Sequence, residues 1–504
     1  MFESAVPKRP RLTFLHRAVA GAFLLGAGYA NAALEPTVAA PAGANTEAEE
    51  AATAPALEEV VVTASRLMLL GTTATASEGV VTDQELQLTP QYRPGQLLET
   101  VPGLIATLHS GEGKANQYLL RGYNLDHGTD LATYVDGMPV NEPTHAHGQG
   151  YTDLNFLIPE LADDLTYTKG AYYASVGDFG AVGSVKLGYR DTIPDQVAAA
   201  FGTLGFERLF IAGSESLGNG HLLGAAEVQH YDGPFATPDD ARKENMVLRY
   251  SEGDEHDGYT VTGIYYHQLW TSTTDIPLRA ISDALVPDRF GTLDPSDGGH
   301  AQRGSLSLNY HATGGDGQFS ASAYFIYNQL HLFSDFTHSL VDPVHGDQED
   351  QFENRRTSGG TATYSLPLRL GAIQNEISAG GLVRYDLLGV GRLPSEDQVP
   401  LLTRNDLPSL YNNDQVYLFA GAAYLQATTL WTQKLRSVLG IREDYQHGTD
   451  VDYLTALHAT AGYTNGGTAA QSLFQPKGTL IYTPTDTLEI YLAAGRGFHS
   501  ADLR

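Results

Sequence analysis

Gln318-Phe319-Ser320-Ala321-Ser322-Ala323-Tyr324-Phe325-Ile326-Tyr327-Asn328 alternates apolar and polar residues with period two. Phe319, Ala321, Ala323, Phe325 and Tyr327 fall on one face and Gln318, Ser320, Ser322 and Asn328 on the other, with Tyr324 and Ile326 as exceptions. Successive side chains of a strand point to opposite faces, so the stretch predicts a strand with one apolar face. Leu488, Ile490, Leu492 and Ala494 repeat the pattern. The lengths between such runs carry more information than the runs. Short connections are expected near 218–220, 253–257, 312–317, 367–370, 431–434 and 484–487, and long ones at 231–242, 271–300, 331–352, 386–414 and 446–472. Strict short/long alternation with an alternating apolar face marks a transmembrane β-barrel with tight turns on one side and long loops on the other. Residues 195–504 therefore read as an all-β barrel domain of about 12 strands.

Upstream, residues 65–194 read as a small α+β domain. Pro94 opens a short amphipathic helix, Val101-Pro102-Gly103 stops it, and Asp136-Gly137 joins two apolar runs as a type I′ hairpin. Residues 33–57, mostly Ala, Pro, Glu and Thr, cannot bury a core and are expected to be a disordered tether. Residues 1–32 have the parts of a secretory signal: Lys8, Arg9, Arg11 and Arg17, an apolar run from 18 to 30, and Ala30-Asn31-Ala32 as cleavage site. That run is 13 residues, against roughly 20 for a spanning helix.

The formal charge is −29. Loss of residues 1–32 removes four basic residues and one acidic residue, a net three positive charges, which leaves −32. This balance argues against nucleic acid as a partner. With no cysteine, disulfides, thiolate metal sites and thiol catalysis are excluded. The 54 glycines and 28 tyrosines favour strands and turns.

Four pieces stand in order before residue 141: Glu58-Glu59-Val60-Val61-Val62-Thr63-Ala64, Leu97-Leu98-Glu99-Thr100-Val101-Pro102-Gly103-Leu104, Leu120-Arg121-Gly122-Tyr123 and Tyr134-Val135-Asp136-Gly137-Met138-Pro139-Val140. Together they resemble the coupling box and plug domain of TonB-dependent outer-membrane receptors. The resemblance implies a plug at 65–194, with Pro102, Gly103, Arg121, Gly122, Asp136 and Gly137 as its motif residues. It also implies a coupling box at 58–64, in which Glu59, Val60, Val61, Val62, Thr63 and Ala64 bind TonB and, through it, the inner-membrane energising complex. Three successive valines after a tether suit pairing as an added strand with an exposed sheet edge. Plugged transporters close with 22 strands, so the resemblance predicts a C-terminally truncated chain with about ten strands lacking. Ala494-Gly495-Arg496-Gly497-Phe498-His499-Ser500 is similar to a strand-end motif midway along the family's barrels. The family also implies outer-membrane lipid around the barrel, an extracellular small-molecule ligand, most often a ferric siderophore, and no cofactor.

Between the hairpin and the end of this domain lies Asn141-Glu142-Pro143-Thr144-His145-Ala146-His147-Gly148-Gln149-Gly150-Tyr151-Thr152-Asp153. It is expected to form a loop at the external apex of the plug, with His127, His145, His147, Gln149 and Tyr151 as candidate ligand-binding residues. Imidazoles at i and i+2 of an extended loop point the same way, so His145 and His147 are candidates to share a metal ion, with Glu142, Asp153 or His127 completing the shell. The competing reading has them hydrogen-bonding the plug to the barrel wall. A metal ion, metal chelate or haem is thus the second ligand class, and a truncated product that binds without transport is a further alternative.

No enzyme signature survives inspection. Gly111-Glu112-Gly113-Lys114 is followed by Ala115 where a phosphate-binding loop needs Ser or Thr, and neither Gly-x-Ser-x-Gly nor His-Glu-x-x-His occurs.

Overall fold

The computed structural model describes residues 73–90, 92–108, 111–371, 373–401, 411–460 and 465–504. The expected signal segment, tether, coupling box and first plug residues lie outside the described residues. The plug strands are β1 (Glu78–Val81), β2 (Leu104–Thr107), β3 (Gln117–Leu120), β4 (Tyr123–Asn124), β5 (Leu131–Val135), β6 (Met138–Pro139), β7 (Ala162–Thr168) and β8 (Gly183–Tyr189). They form a sheet in the order β1-β7-β8-β5-β6 and a second one, β2-β3-β4. Only β5 and β8 run parallel among these pairs.

Helix is scarce in the plug. Helix α1 (Asp83–Gln87) is closed at its start by a capping box between Thr82 and Glu85. The segment opened by Pro94 is a 3-10 helix, Pro94–Thr100, and not the α-helix its amphipathic pattern suggests. Val101 leaves it in extended backbone, as the Val-Pro-Gly triplet requires. Asp136 (φ 48°) and Gly137 (φ 79°) make the expected I′ turn between β5 and β6. Glycine is needed here twice over, because a Cβ on Gly137 would lie 2.4 Å from Asn309 Oδ1 in the surrounding sheet.

That sheet contains β9 (Gln196–Phe201), β10 (Glu207–Leu217), β11 (Gly220–Tyr231), β12 (Ala241–Gly253), β13 (Asp257–Thr271), β14 (Gly298–Gly314), β15 (Gly317–Ser334), β16 (Glu349–Leu370), β17 (Ile373–Glu396), β18 (Val399–Pro400), β19 (Asn412–Thr432), β20 (Leu435–Asp452), β21 (Gly467–Thr485) and β22 (Leu488–Gly495). Every neighbouring pair is antiparallel, and β18 is a two-residue branch on β17. Among the described residues thirteen strands therefore stand in series, from β9 to β22, one more than the sequence count. The extra strand is β9. Its link to β10 is a tight turn at Leu204 (φ 57°) and Gly205 (φ 71°) set between Phe201 and Phe206, so that residues 196–217, counted as one strand from the sequence, are two. Among the described residues β9 and β22 are the two ends of the series and do not pair with each other.

From β10 onward short and long connections alternate, but two boundaries move. The turn expected at 367–370 falls after Leu370, which still pairs with Ile373, and Pro367 pairs with Glu376 inside the β16–β17 ladder. The long loop expected at 386–414 shrinks because β17 runs on to Glu396. Where a strand rises beyond an apolar environment both faces are solvated, so alternation fades while the hydrogen-bonded ladder continues.

The apolar row of β15 faces outward: Phe325 is 50 % exposed and Phe319 37 %. Tyr324 and Ile326, the exceptions to the alternation, face inward at 6 % and 2 %. They belong to a buried cluster that joins Leu97, Leu120, Phe156 and Leu165 of the plug to Phe210, Ile264 and Tyr266 of the sheet. The sheet is thus apolar on its outer face, as a lipid-facing surface requires, and apolar in patches inside where the plug packs against it. No helix among the described residues is long and apolar enough to cross a membrane.

Candidate functional site

Residues 141–153 fold back on the plug as a closed loop. Across its base Glu142 N donates to Tyr151 O and Glu142 O accepts from Gly150 N, both at 3.0 Å. Buried Asn141 ties the loop to its base, donating through Nδ2 to Gly128 O (3.0 Å) and Leu131 O (2.9 Å) while Oδ1 accepts from Thr133 N (2.7 Å).

Each candidate side chain has a definite place in this loop. His145 is buried, stacked on Tyr151 with ring centroids 4.0 Å apart. Its Nδ1 accepts from His147 N (3.1 Å), and its Nε2 faces Glu142 Oε2 (3.5 Å) and Glu353 Oε2 (3.9 Å). The Tyr151 hydroxyl accepts from Ala115 N (2.8 Å). Gln149 accepts from Thr144 N (2.6 Å) and donates to Ser500 O (2.6 Å). His147 turns away from His145: its Nδ1 lies 2.6 Å from Gln351 Oε1 and its Nε2 3.0 Å from His127 Nε2. The two imidazoles expected to share a cation thus do not converge; His147 converges with His127 instead. The i, i+2 rule fails because the loop is not extended there, Thr144 having φ 55°.

Glu142, His145 and Glu353 offer donor atoms within 4.8 Å of one another. Their bonding favours protons over a metal. With Nδ1 accepting a backbone N–H, neutral His145 carries its proton on Nε2, aimed at the carboxylates. Both oxygens of Glu353 are taken by the Arg355 fork, at 2.7 and 2.9 Å. Glu142 accepts from Asn328 Nδ2. Burial, and next the Glu353 charge, hold the Glu142 carboxyl well above the ordinary range, against the pull of Arg355. Burial, then Arg355, holds His145 well below the usual imidazole value. Burial, then His127, does the same to His147. Burial also raises Asp153 to about 6.

The plug motif residues lie elsewhere and do structural work. Gly103 (φ 85°) accepts from Arg121 N at 2.8 Å, and Pro102 O accepts from Lys169 Nζ at 2.9 Å. Arg121 and Gly122 form the β3–β4 turn, with the Arg121 guanidinium donating to Ser77 Oγ (2.7 Å). Asp136 reaches the sheet, pairing with Arg249 (2.7 Å) and accepting from Ser307 Oγ (3.0 Å).

Cations of the sheet grip backbone carbonyls of the plug. Arg355 donates to Pro143 O (2.8 Å) and Thr144 O (3.1 Å), Arg384 to Asn141 O (2.9 Å), Arg442 to Ala174 O (3.2 Å), and Lys477 to Tyr173 O (3.1 Å). Each guanidinium is aimed by a carboxylate two residues along its own strand: Glu353, Asp386 and Asp444, all at 2.7 Å. Between plug and sheet lies a cavity of about 670 Å³, lined among others by Tyr134, Phe179, Tyr324, Arg384, Asp386 and Arg442. Sequence reasoning missed Asn328, Gln351, Glu353 and Arg355. The available signal was the pairing of opposite charges at i and i+2 in Glu353/Arg355, Arg384/Asp386 and Arg442/Asp444, which period two places on one face.

Comparison with known proteins places these parts. Residues 72–184 match the TonB-dependent receptor plug domain, and residues 231–503, more than half of the chain, match the TonB-dependent receptor-like β-barrel. Over 164 residues the chain is 25 % identical to the vitamin B12 transporter BtuB of Vibrio cholerae serotype O1, covering 32 % of this chain and 26 % of that protein. Solved structures share the fold. The unliganded ferric citrate transporter FecA aligns with TM-score 0.68 and 16 % identity over 83 % of this chain and 62 % of that one. The copper transporter OprC aligns with TM-score 0.61 and 16 % identity over 84 % and 63 %. The open form of the ferric-catecholate import receptor Fiu from E. coli K12 aligns with TM-score 0.65 and 13 % identity over 85 % and 71 %. The chain spans about a quarter of the length of the B12 transporter and under two thirds of FecA and OprC. These proteins are receptors and transporters, not enzymes. With a plug matched at one end and a barrel over most of the rest, the chain belongs to the TonB-dependent receptor family.

Proposed function

We propose that the protein takes part in energised import across the outer membrane of a ligand too large or too scarce for passive diffusion, most readily a ferric siderophore. The observation that carries this reading is the seating of the plug. It packs against the inner face of the sheet, held by side-chain hydrogen bonds to its backbone carbonyls that can be exchanged for water or for one another as the plug moves. In this reading residues 59–64 are the handle that TonB pulls, the barrel lies in outer-membrane lipid, and the cleaved segment 1–32 directs export. Ferric citrate, ferric catecholates, copper and vitamin B12 appear in the names of the similar proteins, so likeness alone does not choose the cargo.

The test is deletion of residues 59–64 at the locus in the host, with accumulation measured for a panel of labelled ferric siderophores, haem, cobalamin and free metal ions. Energised import predicts loss of accumulation with surface binding retained. Unchanged accumulation would establish a passive pore and overturn the reading. A second reading, metal ion, chelate or haem as cargo, is favoured by the three imidazoles gathered at the loop, His127, His145 and His147.

A further inference from the structure

We propose that the cavity between plug and sheet is a binding chamber for a small organic anion with a flat apolar body, an aromatic carboxylate being the simplest, and that Lys186 and Tyr134 of the plug are its polar anchors. The inference names a cargo chemistry for the import reading and rests on that reading only for its biological use.

The charges that border the cavity are compensated, with one exception. Arg384 is held by Asp386 and Arg442 by Asp444, each pair at 2.7 Å, and Asp502 pairs with Arg504 at 2.6 Å. Asp178 accepts from Gln446 Nε2 (2.9 Å) and from the backbone N–H groups of Ser500 (2.7 Å) and Phe179 (2.9 Å). Lys186 lines the same cavity and has neither a hydrogen bond nor an ion pair among the described residues. Burial alone shifts its pKa, downward from the usual lysine value, and no carboxylate stands near enough to oppose it. Its side chain is nevertheless exposed. The solvent it meets is that of the cavity, because β8 is an inner strand of the plug sheet, flanked by β7 and β5. An ammonium confined in this way without a counter-charge gains more from an anion than from any neutral ligand.

The surroundings define the rest of the ligand. β5 and β8 run parallel with Tyr134 opposite Lys186, so the two side chains stand next to each other on one face. The Tyr134 hydroxyl likewise has no hydrogen-bond partner among the described residues, and its ring packs against Ala132, Val176 and Phe179. The sheet contributes Tyr324, Leu382 and Leu418 to the lining. A carboxylate that accepts from ammonium and phenol together makes two charge-assisted hydrogen bonds, while a flat apolar body finds aromatic and aliphatic walls. The volume, about 670 Å³, falls within the roughly 300–1,000 Å³ of small-molecule pockets. Asn141 and Pro143 of the closed loop border the same cavity, so in the import reading cargo passing that loop reaches the chamber next.

The experiment is photolabelling of the full chain in nonionic detergent with para-benzoylbenzoate and, as a neutral probe of nearly the same shape, para-benzoylbenzamide, read by mass spectrometry of peptides. The expected result is labelling of plug residues 132–139 or 174–179 by the carboxylate, suppressed by excess para-phenylbenzoate and at least about tenfold stronger than labelling by the amide. Lys186→Met keeps the length and removes the charge, and should weaken the labelling by about tenfold or more, whereas Lys186→Arg should keep it within about threefold. Should Lys186→Met melt at a lower temperature than wild type, protection of Lys186 from acetic anhydride by para-phenylbenzoate in the wild-type protein decides the question instead. Equal labelling by the amide, labelling unchanged in Lys186→Met, or no protection of Lys186 would overturn the chamber and leave the import reading intact. Labelling as expected, together with accumulation that is insensitive to deletion of residues 59–64, would uphold the chamber and overturn its part in energised import.

Discussion

Lys114 is 2 % exposed, its Nζ has no hydrogen-bond partner among the described residues, and the centroid of the Phe336 ring lies 6.0 Å from it. Burial lowers its pKa from 10.5 to about 8, against the pull of Asp297 and Asp275. Between those values the unfolded chain holds a proton that the folded one has lost, so this group makes stability rise with pH from about 8 to 10.5 and leaves its full cost in place below 8. That cost is on the order of 3 kcal/mol at pH 7. Lys114→Met is expected to raise the melting temperature at pH 7, with the gap over wild type closing as pH approaches 10.5; scans at pH 7, 8.5 and 10 check it. Asp136 has the opposite character, because it pairs with Arg249, which also holds Asp191, and accepts from Ser307 of the sheet. Asp136→Ala should cost roughly 2–4 kcal/mol by leaving a buried guanidinium short of a partner. It should be read as earlier proteolysis of the plug in rising urea.

On β15 one strand serves two solvents. Ile326→Ala opens a cavity against the plug and should cost about 2–4 kcal/mol. Phe325→Lys places a charge on the lipid face and should cost about 2–4 kcal/mol in a bilayer, with little loss in the plug contact. Refolding titrations of both variants into lipid vesicles separate the effects: only Ile326→Ala should also loosen the plug to protease. This division was half legible. The outward row Phe319 to Tyr327 announced itself because lipid imposes one simple demand on every other residue. Tyr324 and Ile326 looked like errors in the pattern because their partners, such as Phe156, lie far away in sequence. Strand ends were legible only where glycine marks the turn, as at Gly218 and Gly315, and not at Pro367 or near Glu396, where the ladder outlasts the apolar environment.

For the whole molecule, the central feature is a plug held by a cationic wall. Arg355, Arg384, Arg442 and Lys477 come from four strands and meet plug carbonyls more than 240 positions away in three of the four cases. Such pairs leave no mark on local sequence. The loop of His145 and His147 was legible as a chemically rich segment, but which imidazole meets which depended on Thr144 bending the backbone and on Gln351 arriving from the sheet. Lys477→Met removes two carbonyl contacts, to Tyr173 and Val176, without stranding a carboxylate on its own strand. It should lower the urea concentration at which the plug becomes accessible to protease, while the sheet itself melts unchanged.

If this grip exists to be released, something must pull on the chain before residue 65. The chain has no cysteine, so a single Val61→Cys or Val62→Cys is a unique reporter. Disulfide trapping in living cells against cysteine variants of the periplasmic domain of TonB tests the coupling directly. The account predicts an adduct at positions 59–64 that increases when external ligand is present, and none at a control cysteine on an outer loop. No adduct at any position from 59 to 64, or an adduct equal to that of the control, would contradict it.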